Sequence, residues 1–386
     1  MFFLMFNLSF LIYNDGMKNT FLDYGYSAEE IENKVNDTFY NIFEGMNRFF
    51  FDGLNDTSYF MDTGNCDART EGMSYGMMIC VMMDKKEYFD RMWKFSHDFM
   101  YMTEGYMKGY FAWSVAPDGK KNAFGPAPDG EEFFAMALFL ADKKWGSGEG
   151  IYNYKKWAQE ILSTCIHHPI PMWTGDNHLI KFVPGSPFSD PSYHLPHFYK
   201  YFGMWAKECD RPFWKEAEKA SREYLSISAH PKTGMHPEYA DFDGKANHEV
   251  HFKGGDPMFD DHGCYFSDAY RTVANIGLDA LWNGKKPKLS KIADNLIKFF
   301  SDVEIEDYMK YEIDGTPTKY KALHPVGLLA TLAQGTLACA PSNKKEAEKI
   351  IRRFWNTPLR QGERRYYDNC LYMFAVLALS GKYKVE

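Results

Sequence analysis

At six places in this 386-residue chain a polar, titratable side chain stands at the start of a largely apolar run. Glu71 opens TEGMSYGMMICVMM (70–83) as its only charge, and Asp129 opens DGEEFFAMALFL (129–140). Tyr193, His194 and His197 begin a third run (193–205), and Asp268 with Arg271 a fourth (267–282). His324 begins the fifth (324–339), and Tyr366, Tyr367 and Asp368 lead into the sixth (368–379). Carboxylates are rarely buried unpaired, so these residues point to helix ends that meet a cavity. Two carboxyl groups facing across such a mouth suit glycoside hydrolysis, in which one protonates the leaving oxygen and the other activates water. The acid must keep its proton near neutral pH, which burial of Glu71 among Met73, Met77 and aromatics favours. A helix N-terminus opposes that by stabilising the carboxylate, so desolvation or a neighbouring carboxylate has to win at Glu71. The base must stay ionised, and Arg271 beside Asp268 supplies the counter-charge.

Each of these residues also has a plain structural reading. Glu71 suits the first turn of a helix dipole, and Asp129 with Glu132 fits a capping box. Asp268 can cap a helix and pair with Arg271 three residues on. His324 precedes Pro325 and so lies in an extended segment, where a hydrogen-bonded structural histidine is the default. Tyr366 and Tyr367 suit a core. Six such coincidences at six successive helix starts favour a site.

The elements that must position these groups alternate in kind. Between the apolar runs lie one-sided ones at 27–45, 84–102, 154–165, 212–225, 289–303 and 343–355, the first opened by a capped Ser27-Ala28-Glu29-Glu30. A helix apolar all round must be buried on every side, whereas a one-sided helix lies between core and water. Six of each in alternation predict an all-α protein, an (α/α)6 barrel of six helical hairpins whose inner helices start at one end. No Pro/Gly/Ser linker interrupts the pattern, so residues 17–386 read as a single catalytic domain. Residues 1–16, apolar but short and without the flanks of a signal peptide, read as a start-site artefact or a disordered tail.

Composition narrows the partners. The net charge of −8, with Lys and Arg scattered, predicts no nucleic-acid face. No segment is long enough to span a membrane. Aromatic residues make up 17% of the chain, including 26 Tyr and 9 Trp, enough to supply stacking platforms for sugar rings as well as a core. The seven cysteines are dispersed and form no CxxC pair, which predicts free thiols in a reducing, cytoplasmic setting and no metal site. No cofactor and no obligate protein partner are expected.

Longer motifs carry a resemblance. The segments DARTEGMSYGM (67–77), GPAPDGEE (125–132) and FSDAYR (266–271) resemble glycoside hydrolase family 8. Within it, SDPSYHLPH (189–197), LHPVG (323–327) and RRYYDN (364–369) are similar to the members that release xylose from the reducing end of xylo-oligosaccharides. The likeness runs from about residue 20 to the C-terminus and implies an (α/α)6 barrel and an inverting mechanism. It implies Glu71 as general acid, Asp268 as general base, Asp129 as the carboxylate that binds the sugar at the cleavage point and Arg271 as partner of the base. It also implies His324 near the reducing-end subsite and site roles for Tyr366 and Tyr367, without saying which of the two faces the water.

The reading that follows is a metal-independent inverting glycosidase acting on short β-1,4-xylo-oligosaccharides. Arg69, Trp113, Tyr193 and His194 complete the expected substrate contacts, Trp113 and Tyr193 by stacking. Its nearest rival is an endo-acting relative, which needs a groove open at both ends, where this reading needs Leu323-His324-Pro325 to close one. A sugar-binding protein without catalysis would lack one carboxylate. A lyase on the same barrel would need a constellation poised for proton abstraction.

Overall fold

A computed structural model describes residues 19–251 and 255–385; the stretch 1–16 discussed above lies outside them. After a short α1 (Thr20–Asp23), twelve longer helices follow. The inner set is α3 (Thr70–Met82), α5 (Pro128–Trp145), α7 (Pro196–Trp205), α9 (Arg271–Asn283), α11 (Pro325–Gly335) and α13 (Arg365–Leu379). The outer set is α2 (Ala28–Phe43), α4 (Lys86–Phe95), α6 (Tyr154–His167), α8 (Arg211–Ile227), α10 (Pro287–Phe300) and α12 (Lys344–Asn356).

Hydrophobic patterning decides which set a helix joins. From Gly72 to Val81 every residue of α3 is buried, whereas α12 buries Ala347, Ile350, Ile351 and Phe354 and turns its charges outward. The inner helices pack in sequence, α3 on α5, α5 on α7, α7 on α9, α9 on α11 and α11 on α13, and α13 returns to α3. Each outer helix backs an inner one, with α2 closing on α13. This is the (α/α)6 barrel. At the start of α2 the capping box forms as expected, Ser27 accepting from the Glu30 N–H and Glu30 from the Ser27 N–H.

Two departures from the sequence reading matter. Two capping expectations fail: α5 begins at Pro128 with Ala127 as N-cap, Asp129 lies inside its first turn, and Asp268 makes no cap bond in its 3₁₀ turn (Ser267–Tyr270). Among the described residues the connections also carry four two-stranded antiparallel sheets. They are β1 (Phe50–Asp52) with β2 (Ser58–Phe60), β3 (Ala68–Arg69) with β4 (Ser114–Val115), β5 (Phe188–Ser189) with β6 (Ala240–Asp241), and β7 (Met309–Tyr311) with β8 (Pro317–Lys321). Strands of two to five residues are too short for a period-2 pattern to register. One of them serves the site directly, since Arg69 pairs with Ser114 and so anchors the start of α3 beside Trp113.

Candidate active site

At the end of the barrel where α3, α5, α11 and α13 begin lies a cavity of about 690 Å³. Glu71, Asp129, Asp268, Tyr193, His324, Tyr366, Tyr367, Arg69 and Trp113 line it. Small residues let the helix starts crowd together there. A Cβ on Gly72 would fall 2.5 Å from the Tyr366 hydroxyl, and one on Gly130 would fall 2.5 Å from the Thr70 Cβ. The glycine after Glu71 is thus what admits the phenol to the carboxylate.

Arg271 is the hub beneath the cavity and is itself buried. Its Nη1 donates to Glu71 Oε2 at 3.0 Å, Asp129 Oδ2 at 2.8 Å and the Tyr75 hydroxyl at 2.9 Å. Its Nη2 donates to Ser192 Oγ at 2.9 Å, with Asp190 Oδ2 at 3.9 Å and Asp268 Oδ1 at 3.5 Å. The sequence reading made Arg271 the partner of Asp268; the geometry shares it, and the tighter pairs are with Asp129 and Glu71. The Asp268 side chain is 35% exposed and turns toward the cavity, whereas Asp129 and Glu71 lie deeper, beside the guanidinium.

One cation cannot offset four carboxylates, and burial settles where the protons stay. Desolvation pushes the Glu71 carboxyl up to about 8; Arg271 opposes this, while Asp129 and Asp268 reinforce it. Burial likewise raises Asp129 and drives Asp190 well above the carboxylate range, again against Arg271. The opposition foreseen at Glu71 is therefore resolved in favour of desolvation.

Three consecutive residues in the first turn of α13 each touch a different group. The Tyr366 hydroxyl meets Glu71 Oε1 at 2.8 Å, and a phenol can donate to a carboxylate or accept from a carboxylic acid. The Tyr367 hydroxyl donates to Asp268 Oδ1 at 3.3 Å, which answers which tyrosine accompanies that carboxylate. The Asp368 carboxylate meets His324 Nδ1 at 2.7 Å. Just before Asp268, Ser267 has a φ of 35°, a left-handed conformation that costs a serine on the order of 1–3 kcal/mol.

The aromatic candidates divide. Trp113 is partly exposed, with the Arg69 guanidinium 5.2 Å from its ring, and Arg69 is held by Asp67 and Asp62 at 3.1 and 3.2 Å. The ring therefore lies partly open to solvent at the rim of the cavity. Tyr193 is packed differently. Arg271 lies 5.5 Å from its ring centroid and Phe182 stacks near-parallel at 6.2 Å, so the ring is engaged by protein and its hydroxyl makes no hydrogen bond among the described residues. The expectation that Tyr193 stacks on sugar gives way to a polar edge facing the cavity.

His194 is a correction. It is fully buried, lies outside the cavity, hydrogen-bonds Ser189 and Ser221 and stacks on Tyr224, and burial lowers its imidazole to about 3. His197 is buried likewise, against Phe198 and Trp282. Because α7 begins only at Pro196, a 3₁₀ turn (Pro191–Tyr193) brings Ser192 and Tyr193, rather than the histidines, to the site. Sequence reasoning overlooked Tyr75, Ser192, Asp190 and Arg360, and placed Asp368 at a helix start without giving it a role. The first three lie within motifs already singled out; Arg360 carries no signal in its neighbourhood.

A ring of paired carboxylates, one buried arginine and phenols at the mouth of an (α/α)6 barrel defines a sugar-cleaving enzyme. Residues 60–380 match Glycosyl hydrolases family 8, and the chain belongs to that family. A reducing end xylose-releasing exo-oligoxylanase of Halalkalibacterium halodurans is 52% identical over 382 residues, covering 97% of this chain and 95% of the relative. One from Bifidobacterium adolescentis is 50% identical over 380 residues, covering 96% and 97%. The crystal structure of a reducing-end-xylose releasing exo-oligoxylanase complexed with xylose superposes with a TM-score of 0.90 at 53% identity, covering 96% of this chain and 97% of that one.

Proposed function

We propose that this chain is an inverting glycosidase that removes xylose from the reducing end of β-1,4-xylo-oligosaccharides. The observation that carries the proposal is the contact of Glu71 and Asp268 with opposite nitrogens of one guanidinium, beside a cavity lined at one side by Leu323 and His324. Glu71 delivers its proton to the glycosidic oxygen as the bond to the anomeric carbon breaks. Asp268, steadied by Tyr367, takes a proton from a water that attacks that carbon from the opposite face. Asp129, fixed by Arg271 and by the Gly130 N–H at 2.9 Å, holds the sugar at the cleavage point. Trp113 and Arg69 bind the chain at the rim.

Two carboxyl groups with water between them lie roughly 6.5–9.5 Å apart and invert the configuration. Early proton NMR spectra of a xylotriose digest are expected to show the α-anomer at the newly formed end. The β-anomer, or a covalent glycosyl-enzyme, would contradict inversion.

The pH profile follows from Glu71. A general acid works while protonated, and this one is held up to about 8 by burial. kcat/KM is expected to persist through neutrality and fall as pH rises through about 8. An alkaline limb below pH 6 would contradict a Glu71 carboxyl held up by burial.

A cytoplasmic location belongs to the same proposal. It is supported by the seven cysteines, all free and five of them buried. No helix among the described residues is long and apolar enough to cross a membrane.

A further inference from the structure

The segment that walls one side of the cavity is held by a network outside the acid and base. His324 is the N-cap residue of α11, with φ −126° and ψ 66°, and Pro325 restrains it there. Its Nδ1 lies 2.7 Å from Asp368 Oδ2. Asp368 is fully buried, and its other contacts are donors: the Gly327 N–H at 2.8 Å on Oδ1 and Arg360 Nη1 at 2.6 Å on Oδ2. The same Arg360 nitrogen donates to the Leu323 carbonyl at 2.7 Å, tying the wall to the carboxylate. Arg360 also stands 3.4 Å from His324 Nδ1, a longer approach than that of Asp368.

A carboxylate surrounded by donors is acceptor-only. The short contact with His324 therefore assigns the hydrogen to Nδ1. Nε2 is left without a hydrogen bond among the described residues, on a side chain that lines the cavity. We infer that Asp368 is a specificity-determining positioning residue: it fixes His324 in the Nδ1–H tautomer, so that Nε2 faces the closed end of the cleft as an acceptor and requires a hydroxyl proton from the sugar there. The inference rests on the reducing-end reading above and adds to it the polarity of the recognition. An anomeric hydroxyl satisfies the acceptor; a methyl glycoside, whose oxygen has no proton to give, does not. Arg360 acts on the same network by fixing both Asp368 and the Leu323 carbonyl.

Asp368→Asn tests this, because the amide keeps the shape and can still accept from Gly327. With its oxygen on Gly327, its NH₂ group faces both His324 Nδ1 and Arg360 Nη1, and the guanidinium is left with the Leu323 carbonyl as its acceptor. Nδ1 then becomes the acceptor, which moves the ring hydrogen to Nε2. A donor at Nε2 bonds a hydroxyl or an ether oxygen alike. Wild type is expected to cleave xylotriose much faster than methyl β-xylotrioside, and Asp368→Asn to narrow that ratio by about tenfold or more. A structural defect alone would slow both substrates and leave the ratio unchanged, which would overturn the inference. Nitrogen-15 NMR of the wild-type imidazoles needs no variant: the inference requires His324 Nε2 bare and Nδ1 protonated, and the reverse tautomer overturns it. A bare Nε2 with no discrimination between the two substrates would leave the tautomer assignment standing, but defeat its role and the reducing-end reading.

Discussion

Asp268→Asn is expected to abolish turnover of xylo-oligosaccharides, and to do so whatever the leaving group. The amide cannot accept the proton of the attacking water, and Tyr367 cannot replace it, because a buried phenol raised well above 10 holds its own proton. General-base assistance is commonly worth ~10²–10⁴-fold, so a loss of at least that size is the expected result. Glu71→Ala gives the complementary pattern. Natural oligosaccharides lose turnover to the same degree, but a substrate whose leaving group departs without a proton recovers a large part of it. Rates on both substrate types in both variants separate the roles. Near-normal turnover of xylo-oligosaccharides by Asp268→Asn would show that the acid and base are wrongly assigned.

The second large effect concerns the closed end. On the proposed function, the Leu323–His324 segment that lines the cavity admits one sugar beyond the scissile bond, and its imidazole bonds the anomeric hydroxyl that only a reducing-end sugar carries. A site built around a hydroxyl penalises a substrate that lacks it, by ~10⁴–10⁵-fold in the most demanding cases, since its polar group is left unpaired. Methyl capping of the anomeric oxygen is expected to slow cleavage by about 10²-fold or more, with the added bulk contributing. His324→Ala should weaken that discrimination more than it weakens turnover of uncapped substrate. Equal kcat/KM on capped and free xylotriose in wild type would favour the endo-acting alternative.

Much of this arrangement is legible in the chain because burial patterning and helix starts are local properties. The all-round apolar TEGMSYGMMICVMM and the one-sided NKKEAEKIIRRFW (343–355) sort themselves into inner and outer helices without any knowledge of their partners. Glu71, Asp129 and Arg271 stand out for the same reason, as charges at the starts of buried helices. What local pattern cannot show is which groups meet. Arg271 and Glu71 are 200 residues apart, and nothing near either says that Arg271 pairs with Glu71 and Asp129 more tightly than with Asp268, three residues away. His194 misled because its run begins helical only at Pro196, two residues beyond it, so the imidazole turns into the packing against Tyr224. Arg360 lies in an unremarkable loop and gains its place only through the fold that carries it to Asp368.

The central claim is that cleavage occurs one sugar from the reducing end. Xylotriose labelled at its reducing-end residue, sampled early and separated by chromatography, tests it most directly. Label is expected first in free xylose, with unlabelled xylobiose as the other product. Label appearing first in xylobiose would contradict the account.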